Sequence, residues 1–167
     1  SLTYSFPTSA SFYTGFMGGA YGSGEPLTNF QAFTPVQQAA VTSALAMYSS
    51  VSNLTFTQIT ETSTQTATLR FAESDKPGTA WSYYPSSSPE GGDAWFNNST
   101  HWFDNPVPGN YAWVAMIHET GHALGLKHPH DSIGSFGAIP ANLDSLEYSV
   151  MSYRSYVGAP MNQGYTN

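Results

Sequence analysis

One stretch decides the fold and the chemistry of this chain: HETGHALGLKH, residues 118–128. On an α-helix, side chains four positions apart project from one face, and their attachment points lie about 6 Å apart along the axis. His118 and His122 can therefore bind one metal ion. Glu119 lies about 100° around the helix from His118, which is unfavourable for a third ligand but close enough to reach a metal-bound water. Glu119 is thus placed as a general base.

His128 can join the same ion only if the helix ends before it, because an unbroken helix would carry it a full turn beyond His122. Gly125 lies where that end is needed, and glycine accepts the left-handed conformation that commonly terminates a helix. The histidine pair, the glutamate, the glycine and the distal histidine match the long zinc-protease motif. The alternative is a set of chance histidines on a helix surface, which the number of fixed positions disfavours. We predict a zinc site with its own base.

A second landmark lies downstream in SVMSY, residues 149–153, where the motif requires a tight turn that carries a methionine. Together with His128 and Pro129, this segment resembles the serralysin-type metzincins, which are secreted bacterial zinc endopeptidases. The likeness extends to residues 2–6, 54–59, 80–85 and 92–97, which look like family segments in the expected order. The resemblance covers most of the chain and implies a serralysin-type catalytic domain.

The resemblance also implies roles for residues outside the zinc helix. Tyr153 is expected to bind zinc at rest and to turn away on substrate binding, when it donates a hydrogen bond to the oxyanion. Met151 is expected to form an apolar floor beneath the metal, although simple core packing would also explain it. The strand that carries Ala94, Trp95 and Phe96 is expected to be a sheet edge that binds extended substrates antiparallel to itself. The alternative there is an ordinary edge strand.

The resemblance implies a metzincin-like fold, and the rest of the chain agrees with an α+β architecture in which two main helices lie above a twisted mixed β-sheet. Alternating or threonine-rich segments predict strands at residues 2–6, 54–59, 66–72, 81–84 and 93–97. Thr34, Pro35 and Gln37 predict the start of one helix. Asn110 is expected to cap the zinc helix, residues 111–124.

We expect a single metalloprotease catalytic domain over residues 1–167. Its upper subdomain is residues 1–128, which include the zinc helix. The irregular lower subdomain is residues 129–167, which carry the Met-turn. The resemblance implies that a further helix packs under the active site, followed by a glycine-rich, calcium-binding β-roll with an export signal. Glycine and proline interrupt residues 152–167 too often for such a helix, so we expect the lower subdomain to be incomplete at its C-terminus.

Composition excludes several classes of function. The formal net charge is −7 and Lys and Arg together number 4, so no nucleic-acid partner is expected. The longest apolar run, residues 111–117, is far shorter than the roughly 20 residues that span a bilayer. The chain has no cysteine, and its charged fraction of 9% gives a polar, weakly charged surface suited to an extracellular setting. We expect a secreted or cell-surface protein with bacterial-type export.

We predict a zinc-dependent endopeptidase that hydrolyses peptide bonds of extended protein substrates through a metal-activated water. One alternative is a zinc-stabilised, catalytically silent binding module of a surface-associated assembly, against which the presence of Glu119 argues. A second is an astacin-like or matrix-type metzincin, against which Pro129 and the missing cysteines weigh. A C-terminal fragment of the same precursor is a further expected partner, and calcium is expected only in the missing region. His130 and His101 match no position of the motif and receive no role.

Overall fold

The chain folds around a five-stranded β-sheet in a computed structural model that describes residues 1–14 and 21–161. The strands are β1 (Leu2–Ser5), β2 (Phe56–Gln58), β3 (Leu69–Ser74), β4 (Ala80–Ser82) and β5 (Asp93–Asn97). They lie in the order β2-β1-β3-β5-β4, and all neighbouring pairs are parallel except β4 and β5. The sheet is therefore mixed, as predicted, and β2 and β4 are its two edges.

The described residues contain three α-helices, which are α1 (Ser11–Thr14), α2 (Pro35–Ser50) and α3 (Tyr111–Ala123). α2 begins with the predicted capping box, because the Thr34 hydroxyl accepts from the Gln37 N–H and the Gln37 side chain accepts from the Thr34 N–H. α3 begins at Asn110, whose side chain accepts from the N–H of Trp113. Both predicted helix starts are confirmed. Short 3₁₀ turns occur at Glu25–Leu27 and Ala141–Leu143.

Both long helices pack on the same face of the sheet. Side chains alternate between the two faces of a strand, so Phe71 of β3 and Ala94 and Phe96 of β5 point toward the helices. The helices contribute Ala40, Val41, Leu45, Ala112, Ala115 and Met116 to this core. Trp95 points to the opposite face, where it packs with Tyr13 and Tyr21. The sheet is thus covered on both sides, and α3 is held firmly above β4 and β5.

β5 is an interior strand, which corrects one prediction. β4 pairs along its outer side, with Trp81 of β4 opposite Trp95 of β5. Ala94, Trp95 and Phe96 are completely buried. The prediction that these residues form a substrate-binding sheet edge is wrong, because the chain places β5 between β3 and β4. The edge next to α3 is β4.

The part of the chain after the zinc helix is irregular. Residues 129–161 contain no α-helix or β-strand. Two polar centres organise it. The Lys127 ammonium donates to the carbonyl oxygens of Asp131 at 2.6 Å and Ile133 at 2.9 Å. The Asp144 carboxylate accepts from the Ser152 hydroxyl at 2.6 Å and from Nε of Arg154 at 3.1 Å.

Two further expectations concern the subdomain boundaries and the crossing of a membrane. The division at residue 128 and the incomplete C-terminus stay predictions, and residues 162–167 lie outside the described residues. Among the described helices, none combines the length and the apolar character that crossing a membrane requires.

Candidate metal centre

Three histidines converge at the C-terminal end of α3. Nε2 of His128 lies 3.2 Å from Nε2 of His118 and 3.0 Å from Nε2 of His122. Two nitrogens bound at 2.0–2.1 Å to a tetrahedral zinc ion lie about 3.3 Å apart. The spacing therefore fits one zinc ion held by three imidazoles, with a fourth position left for water or substrate.

The end of α3 creates this geometry. Gly125 has φ of 101°, the left-handed conformation predicted for it, so the chain reverses there. The N–H of Leu126 donates to the Gly121 carbonyl and the N–H of Gly125 donates to the His122 carbonyl, both at 2.9 Å. These two bonds are those of a Schellman motif. The same turn directs the Leu126 carbonyl oxygen to Nδ1 of His122 at 2.7 Å, so one structure ends the helix and orients a ligand.

The other two histidines are also held by their outer nitrogens. Nδ1 of His118 donates to the Val150 carbonyl at 2.9 Å, and Nδ1 of His128 donates to Oδ2 of Asp131 at 3.0 Å. Carbonyl and carboxylate oxygens can only accept here, so each Nδ1 carries the proton and each Nε2 keeps its lone pair for a metal. Burial lowers the pKa of all three imidazoles, that of His118 to about 4. The neutral, ligating form is therefore favoured.

Glu119 lies beside this group with its carboxylate almost fully buried. Burial raises its pKa to about 7, while a hydrogen bond from the Ser82 hydroxyl to Oε2, at 3.0 Å, acts in the opposite direction. A carboxylate that titrates near neutral pH can both accept and return a proton during a reaction. Its position and its pKa are those expected of a general base.

Tyr153 and Met151 flank the histidines from below. The Tyr153 ring is stacked on the His118 ring at 5.7 Å and lies 4.4 Å from the His128 ring, measured between centroids. Burial raises the pKa of the Tyr153 phenol, so its O–H remains a hydrogen-bond donor at neutral pH. Met151 is buried directly under α3, since a Cβ added at Gly121 would lie 2.5 Å from its sulfur. Their roles at the metal stay predictions.

A cleft of about 220 Å³ opens over the histidines. It is lined by Ala80, Trp81, Ser82, Tyr84, Glu119, His122, His128 and Tyr153. The Tyr84 ring stands nearly perpendicular to the His122 ring at 5.5 Å. β4 therefore supplies one wall of the cleft.

Sequence reasoning missed Ser82, Tyr84 and Asp131. The contact between Ser82 and Glu119 joins residues 37 positions apart, which no local pattern reveals. Asp131 follows His128 by three positions. A carboxylate so close to a ligand histidine was a signal that it accepts a hydrogen bond from the ring nitrogen that does not face the metal.

His130 lies next to the ligands without joining them. Its ring is parallel to that of His128 at 5.2 Å, and its Nδ1 lies 3.8 Å from Oδ2 of Asp144. His128, His130 and Asp131 could in principle form a second metal group. However, Nδ1 of His128 already donates to Asp131, so this group could bind an ion only by breaking the bond that orients a zinc ligand.

Comparison with known proteins agrees with this geometry. The model of the matrixin family, Peptidase_M10, matches residues 29–135, which is more than half of the chain. Serralysin B from Dickeya chrysanthemi is 33% identical over 135 residues, 72% of this chain and 28% of the relative. Serralysin A from the same organism is 30% identical over 156 residues, 90% and 33% respectively. Metallopeptidase AprA from Pseudomonas marginalis is 33% identical over 163 residues, 92% and 33%.

The chain therefore belongs to the matrixin family of peptidases, and its likeness to the serralysins identifies it as a serralysin-type metzincin catalytic domain. The predicted family is confirmed at this level. The chain spans about a third of the length of the curated relatives that it matches.

Proposed function

We propose that this domain hydrolyses internal peptide bonds of extended protein substrates. One observation carries the proposal: His122 and His128 of the histidine group, the Glu119 carboxylate and the β4 edge of the sheet all line the same cleft. A structural zinc site would need no such access and would be closed by a fourth protein ligand. The silent binding module is not favoured, because it would have no use for a buried carboxylate beside an open metal position.

His118, His122 and His128 would hold the zinc ion through Nε2. When bound, zinc polarises the scissile carbonyl and lowers the pKa of water at its open position to about 7. The oxygens that accept from Nδ1 of the three imidazoles hold the metal-binding nitrogens in place relative to the cleft. Little reorganisation of these side chains is therefore needed during turnover.

Glu119 acts as the general base and then as the general acid. It accepts the proton of the attacking water and delivers it to the nitrogen of the departing amine. The pKa of about 7 suits both transfers, since a substantial fraction of the carboxylate is ionised at neutral pH before attack and its conjugate acid is strong enough to protonate the amine.

Tyr153 supplies a donor for the negative oxygen of the tetrahedral intermediate. Its ring lies against the His118 and His128 rings, within reach of the open metal position. The phenol would ligate zinc at rest and would turn to the oxyanion when substrate binds, as the likeness to the serralysins implies. Met151, buried beneath α3, gives the ligands an apolar support.

β4 binds the substrate backbone. The backbone N–H of Asn97 donates to the Thr79 carbonyl at 2.7 Å, and the backbone N–H of Tyr83 donates to the Asp93 carbonyl at 2.9 Å. The odd-numbered residues of the β4 segment therefore bond to β5. Backbone groups alternate in direction along an antiparallel pair, which leaves those of Ala80 and Ser82 facing the free edge. An extended peptide can add to this edge by main-chain hydrogen bonds, independently of most of its side chains.

The proposed location of the protein rests on its relatives and its composition. We propose that it is a secreted or surface-exposed bacterial-type protein, supported by its serralysin relatives and by its weakly charged surface. Calcium, and a C-terminal fragment that covers the lower subdomain, stay predictions.

The test is cleavage of an unfolded protein by the zinc-loaded chain. We expect internal fragments, loss of cleavage with a chelator, and recovery on addition of zinc. Intact substrate in the presence of stoichiometric zinc would contradict the proposed function.

A further inference from the structure

The carboxylate of Glu119 is connected to the substrate edge by a single side chain. Ser82 lies on β4, and its hydroxyl donates to Oε2 of Glu119 at 3.0 Å. The bond occupies one carboxylate oxygen, and none of the described residues donates a hydrogen bond to Oε1, which can accept the proton. A donor to an ionised, buried acceptor is worth more than an ordinary hydrogen bond, so this contact restrains the carboxylate strongly.

The same residue presents its main chain to the cleft. The N–H and C=O of Ser82 belong to the set that faces the free edge of β4, because its neighbour Tyr83 bonds to β5. Ser82 therefore touches the base with its side chain and is available to the substrate with its backbone.

β4 is held in place from the other face of the sheet. Glu25 is completely buried and accepts from Nε1 of Trp81 at 2.9 Å and from the hydroxyl of Tyr83. The two residues that flank Ser82 are thus anchored to one carboxylate on the opposite side. This anchoring fixes the position of β4 at Ser82, and with it the distance from the Ser82 hydroxyl to Glu119.

We propose that Ser82 is a positioning residue for Glu119, which links the docking of an extended peptide on β4 to the orientation of the catalytic carboxylate. The inference rests on the proposed peptidase function. In this arrangement, a peptide that bonds to the Ser82 backbone adds to the anchoring of β4 and further restrains the proton-accepting oxygen of Glu119. The effect of losing the hydroxyl should therefore appear in kcat rather than in KM.

The experiment compares Ser82→Thr with Ser82→Val in the zinc-loaded chain. These side chains have the same shape and both suit a strand, but only threonine keeps the hydroxyl. We expect Ser82→Thr to retain most of the activity and Ser82→Val to lose about tenfold or more in kcat, with KM changed less than about twofold. Ser87→Ala, at an exposed loop position, is the matched control and should behave as the parent chain.

Two readouts separate positioning from a general structural effect. In a Glu119→Gln background, Ser82→Val should cause little further loss of residual turnover, because the carboxylate that it positions is gone. A crystal structure of Ser82→Val should show the Glu119 carboxylate rotated or in more than one orientation, while zinc content stays at one ion per chain.

Equal kcat values for the threonine and valine variants would overturn the inference, as would fully additive losses in the double variant. Absence of cleavage by the parent chain would instead contradict the proposed function, so the two failures are distinguishable. Should the valine chain fail to fold, Ser82→Ala replaces it with the same expected loss.

Discussion

At the scale of single residues, the centre separates metal binding from proton transfer. The three histidines direct Nε2 to one point, whereas Glu119 is bound to Ser82 and lies beside that point. Glu119→Gln should therefore keep zinc and lose all but a small residual rate of peptide cleavage, because the amide cannot accept the proton. Metal analysis and a peptide-cleavage assay check both parts. His122→Ala is the matched control and should lower metal content instead. Near-normal turnover by Glu119→Gln would remove this residue from the mechanism.

Tyr153 can be tested in the same way, because its hydroxyl group and its aromatic ring have different roles. Tyr153→Phe keeps the ring contacts with His118 and His128 but removes the O–H. Removing one oxyanion donor typically costs roughly 10² to 10³ in kcat, with a small effect on KM. Steady-state kinetics on a peptide substrate provide the measurement. A variant that changes only KM would make Tyr153 a binding residue and would contradict its proposed role.

At the scale of elements, the close approach of α3 to its neighbours depends on Gly121. A Cβ at this position would lie 2.5 Å from the Met151 sulfur and 2.5 Å from the Tyr48 hydroxyl of α2. Gly121→Ala should therefore overpack this junction at a cost of about 1 to 3 kcal/mol, of which the higher helix propensity of alanine offsets up to about 1 kcal/mol, so that the free energy of unfolding falls. Urea denaturation measures the change. Gly78→Ala is the matched control, since a Cβ there has open space, and it should have little effect. Equal stability of the two variants would mean that α2, α3 and residue 151 are packed less tightly than the structure indicates.

The convergence of the three histidines and the ends of the helices could be predicted from the sequence because those features are local, while the role of the histidines as metal ligands stays a prediction. The HExxH spacing, the glycine at 125 and the capping residues act within a few positions of the groups that they organise. The order of strands is different, because residues 81–84 and 93–97 both carry strand patterns and nothing in either segment says which one lies outside. Pairing of Trp81 with Trp95 decides it, and that pairing is made across a loop. The bond from Ser82 to Glu119 depends on this order, so it was equally hidden.

At the scale of the whole molecule, the metal centre joins the sheet-and-helix part of the domain to the irregular residues 129–161. His118 and His122 come from α3, His128 follows the turn, and the His118 ring is also bound to the Val150 carbonyl. Zinc should therefore stabilise the irregular part more than the sheet. Ligand binding to the folded state contributes about 2.7 kcal/mol when free zinc exceeds its dissociation constant a hundredfold.

Zinc removal tests this linkage through amide hydrogen exchange. After chelation, we expect exchange to accelerate mainly in residues 126–154, while β3 and β5, which lie inside the sheet and away from the ligands, remain protected. The unfolding temperature should fall at the same time, and added zinc should restore both quantities. The control is the Glu119→Gln chain, whose three histidines are intact and which should respond to zinc and chelator like the parent. Exchange that accelerates equally in the sheet and in residues 126–154 would show that the metal stabilises one cooperative unit rather than a separate lower part.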